Sequence, residues 1–154
     1  MLGRSVCKSL IFNKVNVYAI VHHNSFKSLK NVNYINIDLT SLNSETKLPR
    51  EIDCIIHLAQ SSNFRKFPEL SQDIFNVNVA STSFLLDYAH KVGARKFFYA
   101  SSGGVYGKNK NPFKENDSII KNNGFYLNSK VCGEILVNSY STLLETSIFR
   151  PFFI

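Results

Sequence analysis

The chain has 154 residues, enough for one domain with a real core, since 44% of them are hydrophobic and 13% aromatic. Its formal charge is +7, from 18 Lys and Arg against 11 Asp and Glu. The lysines are scattered among asparagines, which describes a solvated surface and no nucleic-acid-binding run. No stretch of about 18 apolar residues exists to span a membrane. Cys7, Cys54 and Cys132 are odd in number and lack metal-ligand spacing, so reduced structural thiols in a cytoplasmic protein fit best, with no metal site. Residues 1–36 contain no acid, which superficially suggests a transit peptide. A structural reading is preferred, because the same residues run directly into a strand–loop–strand pattern.

Taken in order, Gly3 to Lys14 reads as a short helix with Val6, Leu10 and Asn13 on one stripe and Cys7 and Ile11 beside it. Val15 to Val21 is a strand, Asn24 to Asn31 a polar loop, and Asn33 to Asp38 a second strand closing on Asp38-Leu39. Thr40 to Arg50 is polar and weakly patterned. Asp53 to Ala59 is a strand with a continuous apolar centre, as expected when both sheet faces are covered. Glu69 to Val92 is the best helix, with Ile74, Val77, Ser81, Phe84 or Leu85, and Tyr88 recurring at threes and fours, and Gly93 as its stop. Ala94 to Ala100 is a strand, Phe125 to about Leu144 a helix, and Thr146 to Phe149 a last strand. Helix and strand alternate throughout, which argues for a parallel sheet covered on both faces.

The chemistry is concentrated between Lys96 and Lys130. The strand Phe97-Phe98-Tyr99-Ala100 runs into Ser101-Ser102-Gly103-Gly104-Val105-Tyr106-Gly107, and a polar loop leads to Tyr126-Leu-Asn-Ser-Lys130 at a helix start. Tyr126 and Lys130 are one helical turn apart on one face. An ammonium beside a phenol favours the phenolate. Bringing a tyrosine from roughly 10 to near neutral takes about 4 kcal/mol, which a lysine, a cofactor's positive charge and a serine hydroxyl could supply together. Such a group can move a proton to or from a sugar or alcohol hydroxyl. Alone, a tyrosine four residues before a lysine is most often an exposed stem beside a solvated amine.

The order strand, SSGGVYG, loop, YLNSK resembles the extended short-chain dehydrogenase/reductase family, the NAD-dependent epimerase/dehydratase group. The resemblance runs nearly the full length: Asp38-Leu39, Asp53-Cys-Ile-Ile-His-Leu-Ala59, Asn78-Val-Ala-Ser-Thr82 with Ser81 in place of a glycine, and Arg150-Pro151-Phe152 all match its pattern. It implies a Rossmann-like doubly wound α/β fold, with residues 1–154 as a partial dinucleotide-binding domain. It also implies Ser102, Tyr126 and Lys130 as the catalytic triad. NAD or NADP would be held by Gly3, Asp38, Leu39, Leu58, Ala59, Asn78, Tyr126 and Lys130. The implied activity is that of a nucleotide-sugar epimerase or reductase, and the family's habit implies a homodimer formed through the Glu69–Val92 and Phe125–Leu144 helices.

The departures are equally specific. The family begins with a strand and a glycine-rich turn, of which only Gly3 has a counterpart here, so the sheet is expected to be incomplete, its first strand missing. The chain also stops after Pro151-Phe152-Phe153-Ile154, which suggests a fragment without a substrate domain. Gly103-Gly104 stands where sugar dehydratases carry Asp-Glu, which disfavours water elimination. The place of an acid that grips the NAD ribose is filled by Val21-His22-His23, which leaves NADP open: His22 could lie near a 2′-phosphate, or both histidines could be plain loop residues. Phe153 falls where several members place a substrate-binding asparagine. The rival reading is a non-catalytic remnant that binds a dinucleotide or a protein partner.

Overall fold

The computed structural model of the protein describes residues 2–22, 27–43, 46–107, 112–120 and 123–152, and helix α1 (Leu2–Phe12) is the first element among them. The expectations for His23 and Phe153 lie outside the described residues. After α1 come strands β1 (Val17–Val21), β2 (Val32–Asn36) and β3 (Cys54–His57). A continuous helix follows in three parts: α2 (Ser71–Phe75), a π-helical segment (Asn76–Ala80) and α3 (Ser81–Lys91). Strand β4 (Lys96–Ala100), a 3-10 turn (Gly103–Tyr106), helix α4 (Phe125–Ser139) and strand β5 (Glu145–Phe149) complete the order.

The chain forms two compact units, Met1–Thr46 and Lys47–Ile154. In the first, β1 and β2 are parallel, in register from Val17 opposite Val32 to Val21 opposite Asn36. Helix α1 half-buries Gly3, Val6, Cys7, Leu10 and Ile11, the expected stripe. Asn13 does not join it: it is exposed beyond the helix end, and its side-chain amide donates to the Ser9 carbonyl at 2.9 Å. Val17 is this unit's one fully buried apolar residue among those described.

In the second unit β4 is central, parallel to β3 on one side and β5 on the other. Phe97 and Tyr99, on one face of β4, are fully buried against Leu85, Leu86 and Ala89 of α3 and Val137 of α4. The period of two in the strand and of three to four in the helices places these residues together. Gly93 ends the helical run with φ at 70°, and Ala94 N–H returns to the Ala89 carbonyl at 2.9 Å, a left-handed stop that suits glycine. Cys54 departs from the expectation of a covered strand: it opens β3 on the exposed side.

The fold is α/β with parallel, Rossmann-like pairing, and no strand precedes α1 among the described residues. The sheet is accordingly in two pieces, β1–β2 and β3–β4–β5. Among the described residues no helix is long and apolar enough to cross a membrane.

Candidate active site

Helix α4 carries an unusual buried face. Ser129, Lys130, Gly133, Glu134 and Val137 are all buried, at the three-and-four spacing of one stripe, and two of them bear charge. Lys130 is 1% exposed. Its ammonium donates to the Ala100 carbonyl at 3.0 Å and the Ala59 carbonyl at 3.4 Å, and sits 5.2 Å from the centre of the Tyr99 ring. Burial lowers its pKa from 10.5 to about 8. Glu134 is matched by Arg150, whose Nε and Nη2 donate to its two oxygens at 2.9 and 2.7 Å. A paired, hydrogen-bonded carboxylate can stay charged where an isolated one could not.

One turn before Lys130, the half-buried Tyr126 hydroxyl donates to Gln60 Oε1 at 2.7 Å, and its ring packs on Phe64 with centroids 5.2 Å apart. Burial raises the phenol pKa, and a hydrogen bond with the Ser102 side chain partly offsets this. Ser102 caps the 3-10 turn, its Oγ accepting from Gly104 N–H at 3.2 Å. The expectation of a phenol lowered by the lysine is therefore corrected. The Lys130 amine is aimed at two backbone carbonyls, and Tyr126 lies in a partly desolvated place, so the neutral phenol is favoured.

The π-helical segment brings Asn78 to the same region. Asn78 is fully buried; its Oδ1 accepts from Ser61 N–H at 3.0 Å and its Nδ2 donates to Ser129 Oγ at 2.9 Å. Ser129 Oγ in turn donates to the Tyr126 carbonyl at 2.6 Å. One asparagine thus ties the chain after β3 to the first turn of α4. Ser81 is buried, donates to the Val77 carbonyl at 2.6 Å and lies 3.5 Å from the His57 ring.

The structure thus gathers Ser102, Tyr126, Lys130, Ala59 and Asn78 around the carboxyl ends of β3 and β4. That is where ligands sit in open α/β sheets. Leu58 and Ala59 lie just past β3. Ser101, buried beside Ser102, has a hydroxyl with no partner among the described residues. Gly3, Asp38 and Leu39 belong to the Met1–Thr46 unit. There Asp38 Oδ1 accepts from the Thr40 N–H and hydroxyl, each at 2.8 Å, and its Oδ2 is 3.4 Å from His22 Nε2, so the turn after β2 is pinned by its own carboxylate.

Gln60 and the Arg150–Glu134 pair escaped the sequence reading of the site. The available signal for Gln60 was a polar residue directly after Leu58-Ala59; Glu134 would have been marked by a carboxylate four residues beyond Lys130 on the same face. Gly103 and Gly104 are packed: a Cβ at Gly103 would lie 2.6 Å from the Phe152 ring, and one at Gly104 3.0 Å from Leu127.

Comparison with known proteins agrees with this fold. The description "NAD dependent epimerase/dehydratase family" matches residues 1–153. An uncharacterised protein of Methanocaldococcus jannaschii is 28% identical over 120 residues, which is 76% of this chain and 37% of that one. The UDP-glucose 4-epimerase of Mycolicibacterium smegmatis is 29% identical over 131 residues, 84% of this chain and 40% of that one. Among solved structures, UDP-glucuronic acid 4-epimerase from Bacillus cereus in complex with NAD is similar with a TM-score of 0.82. That likeness covers 97% of this chain and 52% of that one at 23% identity, and shows the fold. The chain therefore spans less than half the length of these curated relatives. On a match that runs from the first residue to the last but one, the chain belongs to the NAD-dependent epimerase/dehydratase family.

Proposed function

We propose that this chain is the dinucleotide-binding part of an NAD(P)-dependent nucleotide-sugar epimerase or reductase in which Tyr126 is the acid/base. The observation that carries the reading is that Tyr126, whose hydroxyl interacts with the Ser102 side chain, and the buried Lys130 one turn further along α4 both lie near the carboxyl ends of β3 and β4. A relative and a solved neighbour named as 4-epimerases of UDP-sugars support the substrate class, and the neighbour's NAD supports the cofactor.

The residues present suit a dinucleotide. Lys130, held between two carbonyls with a third N–H to give, would take a ribose hydroxyl. Asp38 and Leu39 would lie along the adenine side, and Gly3 at the start of α1 along the phosphates. The nicotinamide supplies an acceptor for hydride from a sugar carbon. Tyr126 would take the proton of that carbon's hydroxyl, Ser102 would hydrogen-bond the same oxygen, and Asn78 would hold the first turn of α4 in place. The family's dehydratase branch is disfavoured because Gly103 and Gly104 have no acid to give, and a side chain at Gly103 would have to displace the Phe152 ring. Pairing of two copies through α3 and α4 is part of the same proposal.

A non-catalytic dinucleotide binder is the second reading, favoured by the sheet's division into two pieces. The test is calorimetric titration of the chain with NAD and NADP, followed by assay with UDP-glucose, UDP-galactose and UDP-glucuronic acid of an intact, full-length version, wild type and Tyr126→Phe. Turnover is expected to fall about 10²- to 10⁴-fold in the variant, with dinucleotide affinity unchanged. Wild-type turnover in Tyr126→Phe would remove the acid/base role. Binding without any turnover in the wild type would give the second reading the lead.

A further inference from the structure

We propose that Gln60 is a positioning residue for Tyr126, its carboxamide setting both the direction and the ionisation of the phenol hydroxyl. The inference rests on the acid/base reading of Tyr126 and adds to it a residue from a different part of the chain.

Gln60 is held from both sides. The carbonyl of the preceding Ala59 accepts from Lys130 Nζ at 3.4 Å, and the N–H of the following Ser61 donates to the buried Asn78 Oδ1 at 3.0 Å. Ser61 itself is 2% exposed. The backbone on either side of Gln60 is thus fixed to Lys130 of α4 and, through Asn78, to Ser129 beside it, while the Gln60 side chain is exposed and its Oε1 accepts from the Tyr126 hydroxyl at 2.7 Å. Phe64, four residues on, packs the Tyr126 ring at 5.2 Å, so one short segment holds the tyrosine by its ring and by its oxygen.

A carboxamide suits this place for a chemical reason. A phenol has one proton to donate, and Gln60 Oε1 accepts it. A phenolate can only accept, and a half-turn about the last torsion presents the amide N–H₂ to it. Glutamine therefore serves both protonation states of an acid/base group. A carboxylate would serve the phenol and repel the phenolate, and an alkyl side chain would serve neither. Substrate entering the site would take over the tyrosine proton from Oε1, which frees the amide to turn its donor edge to the oxygen as charge develops there.

The experiment is a titration of Tyr126 in the protein without substrate, using ζ-¹³C tyrosine and assigning the signal by its loss in Tyr126→Phe. Wild type is compared with Gln60→Leu and Gln60→Glu; Gln60 is exposed, so both variants keep the core intact. The phenolate fraction at a fixed alkaline pH is expected to drop roughly tenfold in Gln60→Leu, because the donor to the anion is lost, and further in Gln60→Glu. The alkaline limb of the turnover profile should move the same way. Tyr126 titrating identically in all three proteins would overturn the role. The two ideas separate. An unmoved titration alongside Tyr126-dependent turnover sinks the part given to Gln60 alone. A moved titration in a protein whose turnover ignores Tyr126 sinks the functional reading and leaves Gln60 as the group that sets the phenol.

Discussion

His57 shows how one enclosed side chain can set the acid limit of the molecule. It ends β3 and is 4% exposed, between the rings of Phe97 and Tyr99. Its Nε2 is 3.0 Å from Thr82 Oγ1, and the Thr82 hydroxyl already spends its proton on the Asn78 carbonyl at 2.8 Å. Nε2 must therefore carry the hydrogen. Burial first, and the Lys130 charge second, lower the imidazole pKa from 6.5 to about 3. The unfolded chain binds this proton below about 6.5 and the native state does not until about 3, so the stability is complete above that window and is lost as pH falls through it. The slope is about 1.4 kcal/mol per pH unit. Lys130, lowered to about 8, acts at the other end: stability rises with pH between about 8 and 10.5. Urea midpoints measured from pH 7 down to 4.5 should fall less steeply in His57→Gln than in wild type, and the native His57 ring signals should not titrate above pH 5. A native imidazole that titrates near 6.5 would contradict this. At this scale the placing of Tyr126 and Lys130 one turn apart on a helix was legible in the sequence, because four residues make about one turn, but the turn of the Lys130 amine toward the Ala59 and Ala100 carbonyls was not. Gln60 was not: its contact with Tyr126 closes a separation of 66 residues that only the packing of the chain after β3 onto α4 creates.

At the scale of elements, the helical run from Ser71 to Lys91 is interrupted by its π-helical segment, and Asn78 sits at the middle of that interruption. An extra residue in a turn shifts the phase of the helix, so the stripe before it and the stripe after it need not continue one another. The side chain at the shift can then point where a regular helix would not send it. Here it reaches Ser61 on one side and Ser129 on the other. Asn78→Ala removes both bonds and leaves the buried Ser61 N–H without its acceptor, while the Ser129 hydroxyl keeps its bond to the Tyr126 carbonyl, a loss expected to cost about 1–3 kcal/mol. Urea unfolding of the variant checks this; an unchanged midpoint would mean that the asparagine is dispensable to the junction. The periodicity of Ile74, Val77, Ser81, Leu85 and Tyr88 made the helix readable, but nothing in those residue types announced the inserted turn. The end of α4 was misplaced for a similar reason. Tyr140 to Leu144 continue an apolar-rich pattern, yet Leu144 N–H returns to the Tyr140 carbonyl at 2.9 Å in a turn that brings the chain directly into β5. Periodicity sees the buried Leu144 and cannot tell a last helical turn from a tight reversal.

Over the whole molecule the alternation of helix and strand was enough to give the parallel α/β pattern, and among the described residues the strands fall in a two-stranded and a three-stranded sheet. The sequence could not say how the stability would be divided. In the Lys47–Ile154 unit, Phe97, Tyr99, Leu86 and Val137 are fully buried in one continuous core. In the Met1–Thr46 unit, α1 has no fully buried residue, and Tyr18 and Ile20 of β1 are 42% and 36% exposed. Its two-stranded sheet stands on one set of ladder bonds, and two strands alone are marginal without more apolar cover. Opening free energies vary across a protein with the apolar contact that each segment buries. The β1 and β2 amides should therefore exchange with solvent on the order of 100-fold faster than those of Phe97 and Tyr99 in β4. A denaturant titration followed separately by signals from Tyr18 and from Tyr99 should show the former unfolding first, so that the two transitions fail to coincide. Hydrogen exchange read residue by residue decides the matter. Equal protection in β1 and β4, with coincident transitions, would mean that both units share one cooperative core, and the division of the sheet would then carry no energetic consequence.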